Sequence, residues 1–255
     1  MDMTRSTPLR RAAALLAVVL AAAACSGGGH GDHRVGGRPL AALPGGSGAA
    51  RLVITTDNGL RLRPADGPAA DVDRRVDRHW THQGDTWVLD LSCPAHGDRA
   101  DRCPRLPEVD VPAGTAVTVS ARDAGIDAAG VSGALDLTTV NGDVTVTRSG
   151  RDGATVRLAT RNGSVRATAL DAGRLRAGTV NGDVDLDCAT APATVTAATT
   201  NGSVRVGVSH GAPAYRITAR AANGRPSVTV PTASAAGGHR MSLTTVNGDV
   251  TATTG

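Results

Sequence analysis

The dipeptide Asn-Gly recurs through the second half of the chain, each time between short runs in which apolar and polar residues alternate. The units read TTVNGDVTV (138–146), ATRNGSVRA (159–167), GTVNGDVDL (178–186), ATTNGSVRV (198–206) and TTVNGDVTA (244–252). A further copy, ARAANGRPSVTV (219–230), reads as carrying a two-residue insertion, Arg225-Pro226. The turn residues are Asn141, Asn162, Asn181, Asn201, Asn223 and Asn247, spaced 19 to 24 apart. Residues 117–128 form a degenerate earlier copy with Asp123 in the Asn position, and residues 51–63 add another pair of strands around Asn58. A period near 20 residues marks stacked units, none of which buries its apolar face alone.

The alternation sets the local structure. Leu135/Leu137, Val156/Leu158 and Leu175/Ala177 stand six and four residues before Asn, and Val144/Val146, Val165/Ala167 and Val184/Leu186 stand three and five after it. A period of two over runs this short means half-buried strands. Gly supplies the positive φ that the corner needs. Two arrangements fit: antiparallel hairpins in a β-sandwich, or a parallel solenoid with like positions stacked about 4.8 Å apart. The outward columns favour the solenoid. Asp143, Ser164, Asp183 and Ser203 alternate after Asn-Gly, and Arg166, Asp185 and Arg205, four residues after Asn, alternate in sign. Opposite charges on adjacent strands stabilise and like charges destabilise, so neighbours in sequence behave as neighbours in space. The fold expected is all-β, a parallel β-solenoid of about seven coils of roughly 20 residues with an N-terminal cap. The corner Asn residues are placed to form an amide ladder. Only Thr253, Thr254 and Gly255 follow the last unit, so an open C-terminal edge is expected there, where another copy or a partner strand can pair.

The chain has no Lys and no Phe, and its aromatic residues are Trp80, Trp87 and Tyr215. A stack of coils filled by Val, Leu, Ile and Ala suits such a composition. Residues 1–24 read as a lipoprotein signal peptide. Arg5, Arg10 and Arg11 precede a short apolar run, and Ala22-Ala23-Ala24 leads to Cys25, resembling a lipobox with Ala where Leu is preferred. Arg10-Arg11 leaves the export route open. Removing this segment takes away three Arg and one Asp, leaving a net charge of +2, which gives no argument for nucleic-acid binding. Residues 25–50, beginning at the lipidated Cys25, are a Gly-rich tether. The expected location is the outer face of the cytoplasmic membrane, within the cell envelope.

Residues 51–116 break the period and read as cap strands with an inserted loop. Cys93 and Cys103 bracket PAHGDRADR and, in an oxidising envelope, are expected to form a disulfide. His96 with His79 and His82 makes a metal site the competing reading. His79 and His82 are three apart, however, and so fall on opposite faces of a strand. No metal and no cofactor are therefore assigned. Cys188 reads as a small buried residue. If a ligand region exists, it is expected around His79, Trp80 and His82.

The run VDVPAGTAVTVSARDAGIDAAGVSGALDLTTVNGDVTV, followed by Ala191-Pro192, NGSVRV, Pro213 with Tyr215 and a closing VNGDV, resembles the bacterial putative-adhesin domain family over about residues 50–255. The resemblance implies an envelope protein, often an actinobacterial lipoprotein. It carries no catalytic residues to transfer. Cys188 stands where relatives often have a larger apolar residue.

Three function classes follow. The first is a non-enzymatic, adhesin-like surface or envelope-sensing module with an undefined protein or cell-wall glycan ligand. The second is a polysaccharide-active β-helix enzyme. Such sites need clustered acids and aromatic platforms, whereas Glu108 is the only Glu and the repeats hold one aromatic residue. The third is ice or crystal binding through the column Thr139, Thr160, Thr179, Thr199 and Thr245, which Arg161 and the charged columns interrupt. No catalytic residue is assigned. If Cys25 carries lipid, the native protein partitions into detergent and Cys25→Ala shifts it to the aqueous phase; phase partitioning of both forms checks this.

Overall fold

The structure is a computed structural model and describes residues 50–92, 104–234 and 238–255. Contacts divide the chain into two units, Met1–Gly37 and Arg38–Gly255, and the described residues belong to the second. The strands are β1 (Arg51–Thr56), β2 (Leu60–Pro64), β3 (Asp71–Val72), β4 (Asp77–Gln83), β5 (Thr86–Ser92) and β6 (Glu108–Val111). Next come β7 (Ala116–Ser120), β8 (Ile126–Ala129), β9 (Leu135–Thr138), β10 (Val144–Thr147), β11 (Gly150–Ala159) and β12 (Val165–Gly178). The last are β13 (Val184–Cys188), β14 (Thr194–Ala198), β15 (Val204–Val208), β16 (Arg216–Asn223), β17 (Pro226–Val228), β18 (Arg240–Asn247) and β19 (Val250–Thr254).

They stack into two parallel sheets. One runs β5, β1, β7, β9, β11, the second half of β12, β14, β18, β16. The other runs β6, β2, β8, β10, the first half of β12, β13, β15, β19, β17. Asn-Gly corners join strands of different sheets, so the chain is a solenoid and not a set of hairpins. Residues from β7 onward make the seven coils read from the repeat, and β1–β2 and β5–β6 add two more to the same sheets. The inward rows fill the space between the sheets: Leu52, Ile54, Leu60, Leu62, Val117, Val119, Leu135, Leu137, Val144 and Val146 are essentially inaccessible.

The corner column is a continuous ladder. The side-chain amide of each Asn donates to the one beneath: Asn162 to Asn141, Asn181 to Asn162, Asn201 to Asn181, at 2.8–2.9 Å. Asn141 donates to Asp123 at 3.3 Å. At Asn58 the corner is one residue shorter, because Thr55 aligns with Ser120 before it and Leu60 with Ile126 after it. The Thr column turns inward. Thr139 is 2% exposed, and the hydroxyls of Thr160, Thr179, Thr199 and Thr245 each donate at 2.8 Å to the corner glycine carbonyl beneath, which removes the crystal-binding reading. Asp143 and Asp183 accept the main-chain N–H of Ser164 and Ser203 at 2.7 Å, so this column also bonds coil to coil.

The charged column stacks as expected, Arg166 beside Asp185 and Asp185 beside Arg205. Arg166 nevertheless turns back to Asp143, at 2.6 Å. The pair is half-exposed and contributes at most about 1 kcal/mol.

Stacking departs from chain order at both ends. β1–β2 lies between β5–β6 and β7–β8. At the other end the last coil, β18–β19, lies between β14–β15 and β16–β17. Asn247 accordingly donates to Asn201, and Asn223 to Asn247. The open edge is therefore β16–β17 and not the strand ending the sequence. The insertion read at Arg225-Pro226 is also corrected. Asn223 aligns with Asn247, Pro226 with Val250 and Val228 with Ala252, with no residue added. Pro226 occupies a position whose N–H faces outward in the inner coils, where Val184 donates to Ser203 and Val250 to Arg225. A proline fits there only at an edge.

Gly182 sits at φ +148°, and a β-carbon on it falls 2.1 Å from the carbonyl oxygen of Gly163. Gly211 also has a positive φ, +78°, but open space around it. Gly211→Ala is expected to cost about 1 kcal/mol and Gly182→Ala at least about 3 kcal/mol, since it adds a main-chain clash to the strain; urea unfolding of the two variants measures the difference.

Candidate functional site

The two ends of the stack differ from its sides, where the columns bond to one another. At the N-terminal end, β4 pairs antiparallel with β5 and β3 antiparallel with β6. Two features result.

The first is an aromatic face. Across the β4–β5 pair, Trp80 stands opposite Leu89 and His82 opposite Trp87. Leu89 belongs to the core, so Trp80, His82 and Trp87 share the face that lies over it. The indole rings meet edge to face with centroids 6.3 Å apart, and the His82 ring lies 4.2 Å from Trp87. Trp87 Nε1 is buried and has no hydrogen-bond partner among the described residues. His79 points the other way, opposite Asp90. The expected ligand region is thus divided: Trp80 and His82 come together, His79 does not, and Trp87 joins them. Cross-strand register brings in Trp87, and a single strand read alone does not reveal it.

The second is an open cleft of about 330 Å³ lined by Arg61, Asp71, Asp73, Arg75, Glu108 and Asp110 among others. Asp73 is held below the usual carboxylate range, chiefly by its hydrogen bond with Arg75, whose guanidinium lies 2.6 Å away. Asp110 is pushed up by burial first and then by Glu108, Asp71 and Asp66. Asp71 stands directly opposite it across the antiparallel pair. Of this cluster the sequence singled out only Glu108, because the β3–β6 pairing leaves no periodic trace. Among the described residues, no group of three or more His, Cys, Asp or Glu is placed to hold a metal ion.

At the opposite end the buried Tyr215 hydroxyl donates to the Pro192 carbonyl at 2.9 Å, and its ring meets His239 edge to face. Burial raises Tyr215 and Cys188 to about 12, so both are neutral packing groups. Cys25, Cys93 and Cys103 lie outside the described residues.

The Asn-Gly corners with their Thr, Asp and Ser columns fill the segment that matches the model of the Toastrack DUF4097 family, residues 113–253. The chain belongs to this family. The Toastrack match begins just before β7, so the aromatic face and the acidic cleft lie on coils that precede it. Among solved structures, the chain is similar to a putative cell adhesion protein from Clostridium sporogenes, with 8% identity over 83% of this chain and 95% of that one and a TM-score of 0.39. It is also similar to a putative adhesin from Bacteroides fragilis, with 13% identity over 81% of this chain and 92% of that one and a TM-score of 0.31. No curated protein matches the chain.

The acidic cleft yields a pH-dependent prediction. A carboxyl whose pKa is raised by folding binds its proton more readily folded than unfolded, so its ionised form opposes folding at neutral pH. Asp110→Asn is expected to raise the thermal midpoint by about 1–3 °C at pH 7. The gain vanishes as pH falls through the carboxylate range and the wild-type Asp110 takes up its proton. Calorimetry of both forms across pH checks the sign.

Proposed function

We propose that this Toastrack protein is a lipid-anchored, non-enzymatic module of the cell envelope, held by Cys25 at the outer face of the cytoplasmic membrane. Its role is adhesin-like binding or envelope sensing, through the aromatic face at its N-terminal end. The ligand is a cell-wall glycan or an envelope protein. The observation that carries this reading is the Trp80–His82–Trp87 cluster, where aromatic surface coincides with a buried indole N–H that has no hydrogen-bond partner among the described residues. Aromatic rings with a polar handle are the side chains that most often dominate recognition surfaces. The sides of the solenoid support the reading from the other direction. Their Asn, Thr and Asp groups bond coil to coil, which makes a rigid mount.

The test is cosedimentation of the full chain with purified cell walls and, separately, capture of envelope proteins. Trp80→Ala and Trp87→Ala are expected to weaken whichever interaction exists by tenfold or more while the far-ultraviolet dichroism is kept. Equal binding by wild type and both variants overturns the assignment of the face. Turnover of wall polymer by the wild type overturns the non-enzymatic reading.

A further inference from the structure

The two sheets carry their outward charge differently. On the outer side of the second sheet, opposite signs stand side by side: Arg61 beside Asp127, Arg166 beside Asp185 and Asp185 beside Arg205. On the outer side of the first sheet, Arg stands beside Arg. One outward row, at the start of the strands, runs from Arg51 on β1 to Arg174 on β12, Arg240 on β18 and Arg216 on β16. The next row, two residues along, holds Arg157 on β11 and Arg176 on β12.

Arg216 lies directly beside Arg240, and Arg157 beside Arg176. Like charges on neighbouring strands destabilise a sheet. Arg157 is answered by Asp136 at 3.7 Å. Arg174, Arg176, Arg216 and Arg240 are exposed and make no ion pair among the described residues. At the corner that feeds these strands Asp171 bonds the Thr190 hydroxyl, and Asp152 follows Arg151 in the irregular part of β11. The other outward carboxylates of the sheet, Asp77 and Asp90, belong to β4 and β5, about 24 Å or more from β12. Four guanidiniums face outward without a counter-charge, which suits an external anion.

The same side carries exposed aliphatic groups. Val140, Val180 and Val246 each precede a corner Asn and are 39%, 42% and 44% exposed. Thr139, Thr179 and Thr245 before them turn inward, so the alternation puts the three Val on the outer side of the first sheet. Arg161 and Thr200 stand between them in that column. The basic margin and the aliphatic margin lie about 20 Å apart along the strands. A plane of anionic headgroups meets both at once, whereas a single polymer strand does not span them. Basic and aliphatic side chains together are the composition of interfacial membrane-binding surfaces. The chain also enters at the basic margin: the Ala50 carbonyl, at the start of β1, accepts the N–H of Ala116. Cys25 lies 25 residues earlier, and a Gly-rich chain of that length spans about 25–30 Å.

We propose that the outer side of the first sheet, from β9 to β16, docks on the anionic lipid headgroups of the membrane that holds the Cys25 anchor. The proposal rests on that anchor for its location and on the face itself for its binding. Arg174, Arg176, Arg216 and Arg240 meet lipid phosphates, which separate the like charges that the fold sets side by side. Val140, Val180 and Val246 enter the headgroup layer. Trp80, His82 and Trp87 lie over the core side of the same sheet, so a docked solenoid turns the aromatic face away from the membrane.

Vesicle cosedimentation of the full chain carrying Cys25→Ala tests the face apart from the lipid. Binding is expected to vesicles of about one part phosphatidylglycerol to two parts phosphatidylcholine, and it falls as salt rises. Arg176→Gln with Arg240→Gln is expected to weaken it about tenfold or more. Arg205→Gln with Arg225→Gln, the same charge change off this face, is expected to weaken it less than about twofold. Arg240→Gln alone is expected to raise the thermal midpoint by about 1–2 °C at low salt by relieving Arg216, so its lost binding does not reflect lost folding. Val180→Thr with Val246→Thr is expected to weaken vesicle binding about fivefold and to leave uptake of inorganic polyphosphate unchanged. Equal binding to pure phosphatidylcholine vesicles, equal loss from the two Arg pairs, a lowered midpoint for Arg240→Gln, or polyphosphate binding that matches vesicle binding phosphate for phosphate overturns the proposal. A chain that binds vesicles through this face while the native protein stays out of detergent supports the face and overturns the anchor alone.

Discussion

The glycine of each corner has no side-chain carbon, and the carbonyl oxygen of the corner beneath occupies the place where that carbon would be. At Gly163, Gly182 and Gly202 a β-carbon falls 2.1–2.2 Å from that oxygen. The approach brings successive corners to strand spacing, and everything else in the repeat depends on that spacing. It lets the Thr hydroxyl reach the same carbonyl, the Asn amides meet at 2.8–2.9 Å, and the Asp side chain reach the next main-chain N–H. A mostly Val, Leu and Ala core is adequate because the polar groups at each corner are satisfied coil to coil rather than by bulk.

Most of this was legible in the sequence because it is local and periodic. The alternation of two fixed which side chains face inward. The Asn spacing fixed where the corners lie. The sign alternation of Arg166, Asp185 and Arg205 distinguished stacked coils from hairpins. Partner choice within a column was not legible: Arg166 reaches the carboxylate diagonally beneath it, Asp143. The candidate site was legible only in part. Trp80 and His82 lie on the face that the alternation gives them, but the neighbour that completes it, Trp87, depends on the β4–β5 register. The antiparallel β3–β6 pair behind the acidic cleft spans two residues of β3 and has no period to read.

The order of the last two coils was hidden because both carry the same corner. Their differences decide it once the ladder is known. An inner coil needs a main-chain N–H three residues after Asn, because the coil above it accepts that bond. The 240–254 segment has it in Val250, which donates to Arg225. In the 216–228 segment that position holds Pro226. That coil fits only where nothing stacks beyond it. What reads in the sequence as an insertion marks the end of the stack.

This arrangement constrains assembly in time. Strands made later, β18 and β19, occupy a slot between strands made earlier, β14–β15 on one side and β16–β17 on the other. As the chain emerges from its N-terminus, coils up to β15 can stack one upon another, but β16–β17 has no seat until β18–β19 has arrived. Growth in chain order therefore stops at β15, and β16–β17 is seated only after or together with β18–β19. Tyr215, buried and bonded to Pro192 on one side with His239 against its ring, draws its surroundings from both sides of that exchange of order.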